Sequence, residues 1–354
     1  MVRLGIIGAG GMANAHMDRY REIEGCTVVA CCDVVPGKAT KFAQDRGVPS
    51  SYEDYRAMLD HEALDAVAVV TTDATHAECS LEALARGLHV LCEKPLATSL
   101  EDALRMTEAA RASGRINMVN FSYRNSAAVQ GAAAAIRAGA IGRVLHVEAS
   151  YLQSWLVSRE WGDWRTGNHL TWRLSTRHGS AGVLGDIGCH IYDMVSYLCG
   201  DIAEIQCRLR TFSKGEPNEM VGEYVLDAND SFVSAVSFCN GAMGAVHSTR
   251  WASGQVNSLR ARIYGDGGAI DVELDRSWDE YRTCTGQEAI DRHDWRTEVC
   301  PPSPNNYQRF ITAIQTGCPD PCDFAVGARV QAYLHYSQES DRLGAACPIR
   351  MTAR

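Results

Sequence analysis

Residues 5–13 read "GIIGAGGMA", a glycine-rich turn that closes the strand-like run "RLGIIG" (3–8) and opens a segment with helical spacing. The turn has the form Gly8-x-Gly10-x-x-Ala13, which alone is a common pattern. Between a strand and a helix it restricts the fold sharply. Backbone N–H groups and the positive end of a helix dipole then converge on one point, where a pyrophosphate is bound. Gly8 permits the tight turn, and Gly10 lets the backbone approach phosphate. Ala13 stands at the helix–sheet contact where a third glycine is usual. Gly11 and Met12 follow in the same loop as further cofactor-binding candidates.

The rest of the first 120 residues repeats this strand–helix alternation. "TVVACCD" (27–33), "LDAVAVVTT" (64–72), "LHVLCEK" (88–94) and "RINMVNFS" (115–122) are apolar without polar alternation, as strands covered on both faces should be. Helical spacing fills the gaps, and Gly25, Gly87 and Gly114 stand where C-caps belong. The pattern predicts a doubly wound parallel sheet of Rossmann type over residues 1–122. Asp33 ends the second strand, where a carboxylate accepts from ribose hydroxyls and repels a 2′-phosphate, so NAD is favoured over NADP. Lys38, five residues on, leaves room for some tolerance of the phosphate.

Beyond residue 122 the period changes. A helix at 127–142 is followed by "RVLHVEASYLQ", "EIQCRLRTFS", "DSFVSAVSFCNGAMGAVHSTRW" and "NSLRARIYGDGGAIDVEL", which alternate polar and apolar residues. Asn240–Gly241 is a hairpin signal. Residues 123–354 are therefore expected to form an α+β domain with a large, mostly antiparallel open sheet. Its second face is a plausible homo-oligomer surface for a dimer or tetramer. The last helix, within "FAVGARVQAYLHYSQESDRL", is a candidate to pack back on the first domain.

Charge and composition exclude several classes. The 354 residues carry a formal net charge of −9, so neither nucleic acid nor anionic membrane is an expected partner. No run approaches the roughly 18 apolar residues of a membrane span. Fourteen cysteines occur without a C-x-x-C pair or a leading export signal, so reduced thiols, a cytoplasmic location and no metal site are expected.

Two further segments carry chemistry. "LCEKPLA" ends an apolar strand with Glu93 and Lys94 side by side before Pro95. "GSAGVLGDIGCHIYD" places Asp186 and His190 four apart, on one face if the segment is helical. Singly, the Asp reads first as an N-cap and the His as a satisfied core residue. Together with "VVTTDATHAE" (69–78) and "NFSYRNSAAVQ" (120–130), they make the chain resemble the Gfo/Idh/MocA oxidoreductases along essentially its whole length. Thr72 and Asp73 stand where that family usually has Pro and Asn, and "GSAG" replaces a glycine triplet.

The resemblance implies that Lys94 is the principal acid/base and His190 its partner or alternate, with Asp186 holding substrate hydroxyls. It also implies a Lys94–Pro95 bond that is often cis, and cofactor contacts from Thr71, Thr72, Asp73, His76, Glu93, Lys94 and Arg124. The chemistry is coherent, because oxidising an alcohol needs a proton acceptor on oxygen while hydride leaves carbon. A buried amine beside a cationic nicotinamide suits that task. The segment 150–179 holds four of the seven tryptophans, and aromatic faces stack on sugar rings. Gln153, Trp155, Arg173, Tyr123 and Tyr307 are the substrate-side candidates, although packing the domain is an equal use for any one tryptophan. The expected activity is NAD-dependent oxidation of a ring hydroxyl on a sugar, anhydrosugar, glycoside or cyclitol. A glycosidase using bound NAD for transient oxidation, a dehydrogenase of a non-sugar ring, and a non-catalytic nucleotide sensor remain alternatives. The intact Lys94, Asp186 and His190 set speaks against the sensor.

Overall fold

A computed structural model describes residues 1–166, 170–177 and 179–352. The chain forms two compact units. The first contains Met1–Phe121 and Pro304–Gln331, with Met351 and Thr352. The second contains Ser122–Ser303 and Ala332–Arg350. The junction after Phe121 lies one residue before the sequence-based boundary, but the stretch 304–331 groups with the first unit.

In the first unit, β1 (Val2–Ile7), β2 (Cys26–Cys32), β3 (Ser50–Tyr52), β4 (Ala66–Val69), β5 (His89–Cys92) and β6 (Asn117–Val119) build one sheet. Its order is β3-β2-β1-β4-β5-β6, and every pair is parallel. Helices α1 (Gly11–Arg21), α2 (Lys38–Arg46), α3 (Tyr55–His61), α4 (His76–Ala85) and α5 (Leu100–Ser113) supply the crossovers. All four residues of β4 are buried, as two-sided cover requires. The strand order reverses between β1 and β4, so their carboxyl ends open the crevice in which such sheets bind ligands. Among the described residues, no helix is long and apolar enough to cross a membrane.

The second unit begins with α6 (Ala127–Arg137) and β7 (Val144–Gln153). A π-helical turn, Leu184–Gly188, then leads into α7 (Cys189–Cys199). Gly188 lets that turn lie against the sheet, since a Cβ there would sit 3.0 Å from the Phe232 ring. Strand β8 (Ile202–Arg210) follows, then a small ribbon of β9 (Met220–Val221) and β10 (Tyr224–Val225). Next come β11 (Ser231–Phe238), β12 (Met243–Thr249), β13 (Asn257–Gly265), β14 (Gly268–Glu273), β15 (Glu280–Thr285), the short helix α8 (Gln287–Arg292) and β16 (Arg296–Val299). With the terminal β17 (Cys347–Pro348), nine strands form the order β16-β15-β14-β13-β7-β12-β11-β8-β17. Only the β7–β12 pair among these is parallel. Helix α7 packs on β7 and α6. Along β11 burial alternates strictly, so one face is core and the other open.

Helix α9 (Asn306–Thr316) belongs to the first unit and packs on α1 and β1. Its entry carries a capping box between Asn305 and Gln308. Helix α10 (Phe324–Leu343) starts in the stretch grouped with the first unit, and its residues from Ala332 group with the second. The last helix was expected to return to the first domain. Within that unit, Cys322 O accepts from Val119 N at 3.0 Å and Thr107 Oγ1 donates to Phe324 O at 3.1 Å.

Candidate active site

The glycine turn has the geometry its sequence requires. Gly8 has φ +102°, and a Cβ there would fall 2.5 Å from Val70 O. Gly10 is the N-cap of α1, with no side-chain cap and no acidic residue in the first turn. A Cβ on Gly10 or Gly11 would meet nothing within 4 Å. The helix thus presents uncapped amides beside open space, which fits a dinucleotide pyrophosphate. Met12 is 52% exposed at the same edge.

Asp33 is buried, and its carboxylate is well used. Oδ2 accepts from Ala9 N at 2.9 Å and pairs with Lys38 Nζ at 2.8 Å, while Oδ1 accepts from Val35 N at 3.0 Å. Burial alone would raise its pKa, but the Lys38 ammonium and the two amides together hold it below the usual carboxylate value. Asp33 therefore ties the glycine loop to the end of β2 and remains an anion there.

At the ends of β4 and β5 lie the other cofactor-side candidates. Thr71, Thr72 and Asp73 form the turn into α4, with Thr72 exposed. His76 is buried, and its ring nitrogens meet Pro95 O at 2.8 Å and Thr71 O at 3.3 Å. It is bound to backbone on both sides, which leaves no ring nitrogen for the cofactor contact expected of it. The Lys94–Pro95 peptide is cis, and Lys94 is half-buried.

Glu93, expected at the nicotinamide ribose, is the centre of a buried polar network. Its Oε1 meets His16 Nε2 at 2.7 Å and accepts from Asn120 Nδ2 at 2.7 Å, while Oε2 accepts from Lys94 N at 3.2 Å. Asn120 also donates to Tyr307 Oη at 3.1 Å and accepts from Asn306 Nδ2 at 3.0 Å. Burial would raise the Glu93 pKa; the His16 and Asn120 bonds and the Lys94 charge outweigh it and bring it down to about 2. Tyr307, a substrate-side candidate, belongs to this network in the first unit, edge-on to His16 and Tyr20 at 4.9 and 5.3 Å.

In the second unit, the end of the sheet where β7 stops and β13 starts carries a different cluster. Gln153 is the register partner of Asn257, and Tyr151 that of Leu259. Asn257 Oδ1 accepts from Tyr151 Oη and from Gln153 Nε2, each at 2.8 Å, and Asn257 Nδ2 donates to Tyr123 Oη at 3.1 Å. Tyr123 and Tyr151 also bond hydroxyl to hydroxyl. The His190 ring stands edge-on to Tyr123 at 4.9 Å. Trp155, expected as a sugar-stacking wall, is buried in a core cluster with Leu156, Trp164 and Leu174, and its indole N–H donates to Gln153 Oε1 at 3.0 Å.

Asp186 lies in the π-turn, and His190, four residues on, is the second residue of α7. Asp186 Oδ2 takes two guanidinium contacts, Arg173 Nε at 3.2 Å and Arg250 Nη2 at 3.0 Å. Arg250 is fully buried, donates Nη1 to Arg173 O at 3.0 Å and lies over the Trp155 ring at 4.8 Å. Arg124, a cofactor-side candidate, is instead locked on Asp193 in a buried bidentate pair, with Nη2–Oδ1 at 2.6 Å and Nε–Oδ2 at 2.9 Å. Among the described residues, no group of three His, Cys, Asp or Glu side chains is placed to hold a metal.

Residues 2–121 match the family model described as "Oxidoreductase family, NAD-binding Rossmann fold", and residues 129–271 match that of the "GFO/IDH/MocA C-terminal domain". The chain is 30% identical to levoglucosan dehydrogenase of Pseudarthrobacter phenanthrenivorans over 323 residues, 85% of this chain and 81% of that protein. It belongs to the Gfo/Idh/MocA oxidoreductase family. A D-glucoside 3-dehydrogenase of Escherichia coli is 29% identical over 249 residues, covering 68% of each protein. Among solved structures, levoglucosan dehydrogenase in complex with NADH and levoglucosan superposes with a TM-score of 0.88 at 28% identity, covering 99% of this chain and 100% of the other.

The first unit of this family member is an NAD-binding Rossmann domain. Arg250, Tyr151, Asn257, His16 and Asn120 were absent from the sequence-based candidates. Tyr151 and Asn257 sit at strand ends whose meeting depends on register, which sequence periodicity leaves open. Arg250 had a signal, a lone arginine closing the alternating strand in "HSTRW".

Proposed function

We propose that this chain reversibly oxidises a ring hydroxyl of a sugar, anhydrosugar, glycoside or cyclitol to a ketone, with NAD as the cofactor. The observation that carries the reading is the second unit's Tyr123–Tyr151–Asn257–Gln153 array beside His190. Its neutral donors and acceptors suit hydroxyl groups. The similarity to levoglucosan dehydrogenase supports the same substrate class.

NAD, when bound, supplies the acceptor for the hydride that leaves carbon. The α1 amides and Asp33 hold its pyrophosphate and adenosine ribose. Lys94 accepts the hydroxyl proton, so that loss of proton and hydride together leaves C=O. His190 donates to the developing oxygen charge as partner or alternate to Lys94, and Asp186 with Arg173 orients neighbouring hydroxyls. Glu93 holds the Lys94 backbone N–H rather than entering the proton transfer.

Two finer assignments complete the proposal. The open face of the second unit's sheet is the oligomer surface, since Val233 and Met243 are 59% and 58% exposed there beside Ala235 and Ala245. All fourteen cysteines are free thiols, which suits the reducing cytoplasm.

The test is NAD reduction measured across levoglucosan, free monosaccharides, methyl glycosides and inositols. At least one should turn over, and Lys94→Met should lower kcat by about 10²–10⁴-fold. Full activity in Lys94→Met would contradict the assignment. Glycoside cleavage without added NAD would instead favour the transient-oxidation reading.

A further inference from the structure

His76 opens α4 and is buried, with Nδ1 2.8 Å from Pro95 O and Nε2 3.3 Å from Thr71 O. A carbonyl oxygen only accepts hydrogen bonds. A neutral imidazole carries one N–H, so its other nitrogen would turn a lone pair on a carbonyl lone pair, with the Cys92 thiol, which also bonds the ring, as its only other donor among the described residues. Leaving such a buried group without a strong donor is unfavourable. An imidazolium donates to both.

The titratable groups on the elements around the ring are Asp73 in the turn before α4, Glu78, Cys79 and Glu82 within α4, His89 and Cys92 on β5, and Glu93 and Lys94 after it. Burial alone would lower the imidazole pKa. The Cys92 sulfur, the Asp73 carboxylate and the Pro95 carbonyl outweigh burial and push it up to about 10.

We propose that His76 is a buried imidazolium and a positioning residue, clamping the Thr71 turn after β4 to the Lys94–Pro95 turn after β5. Strands β4 and β5 are adjacent and parallel, so both turns emerge at the same edge of the sheet. The ring is the cross-brace between them. Its catalytic consequence rests on the assignment of Lys94 as the proton acceptor; its protonation state does not. A catalytic group displaced by about 1 Å costs up to roughly 10²-fold in rate, so the brace matters even though His76 touches no reacting atom.

The deciding measurement is made on the full-length chain carrying ¹⁵N-labelled histidine, with His76→Gln to assign its signals. Two protonated ring nitrogens should persist from pH 6 to pH 9, while exposed histidines titrate near pH 6.5. A neutral tautomer at pH 7.5 overturns the proposal. So does a ring that turns neutral in Cys92→Ser, because the sulfur rather than the two carbonyls would then hold the charge. In kinetics on the best sugar of the panel, His76→Gln should lower kcat by about tenfold or more with KM changed less than about threefold. Unchanged kcat beside an intact imidazolium signature overturns the positioning role. If no sugar reduces NAD, the proposed activity fails, while the nitrogen signals still decide the imidazolium.

Discussion

Arg250 offers the sharpest test of the second unit, because it is a fully buried cation with identified partners on three sides. It donates to Asp186 Oδ2 and Arg173 O, each at 3.0 Å, and stacks over Trp155 at 4.8 Å. Arg250→Met keeps the aliphatic stem and removes the guanidinium. Removing one partner of a buried pair costs about 3–5 kcal/mol, chiefly through the charge left behind. Here Arg173 still faces Asp186 at 3.2 Å from a partly exposed position, so the lower end, about 3 kcal/mol, is expected. Urea unfolding followed by tryptophan emission reads the change directly, since Trp155, Trp164, Trp161 and Trp251 surround the site. The double variant Arg250→Met/Asp186→Asn leaves no unpaired carboxylate and should recover most of the loss. A single variant costing under about 1 kcal/mol, or a double variant as unstable as the sum of its parts, would refute the ion-pair reasoning.

Three other outcomes follow from the first unit. Glu93 is held ionised down to about pH 2, so it contributes stability above the ordinary carboxylate range that is lost as pH falls through 4 toward 2. Glu93→Gln should flatten acid unfolding in that window, and equal acid sensitivity in both proteins would count against the network. Asp33→Ala removes the carboxylate that pairs with Lys38 Nζ at 2.8 Å and frees the ammonium for a 2′-phosphate. The NADP-to-NAD ratio of kcat/KM should rise by about tenfold or more, and an unmoved ratio would show that Asp33 does not select the cofactor. Gly10→Ala meets no protein atom, so it should fold normally yet bind NAD more weakly by isothermal titration. Gly8→Ala meets Val70 O at 2.5 Å with φ +102°, so it should lower thermal stability instead; the reverse ranking would be inconsistent with the loop geometry.

The parallel sheet was legible because its signals are local: an apolar run, a glycine or turn residue, then helical spacing. Its edge strand β3 was missed, since Ser50–Tyr52 is too short and too uniformly half-buried to show a period. In the second unit β7, β8 and β11–β14 were legible from alternation and β9, β10 and β15–β17 were not, and alternation says which face a residue takes, not which residue it meets. Tyr151 and Asn257 lie 106 positions apart and meet through the β7–β13 register. The same limit explains Arg124, whose carboxylate partner Asp193 is 69 positions away. The π-turn was hidden because Gly182, Gly185 and Gly188 weaken a helix without saying how it will be rewound. Trp155, a wall candidate by the resemblance of its segment, lies in the core cluster, a choice between binding and packing that sequence left open.

A buried carboxylate beside the amine proposed as proton acceptor looks wasteful until its partners are traced. Glu93 is anchored to α1 through His16, to the end of β6 through Asn120, and through Asn120 to α9 by Tyr307 and Asn306. Each link crosses between elements that local sequence alone would leave independently placed. Helix α1 is also the element whose uncapped amides face the phosphate space. The network therefore joins the helix that receives the dinucleotide to the turn that carries Lys94, using a charge whose desolvation is offset only when all partners are present. A half-formed version would leave an anion in the core, so the arrangement favours one geometry over near alternatives. That selectivity is what the acid/base role proposed for Lys94 requires, because the rate advantage of such a group depends on placement more than on affinity.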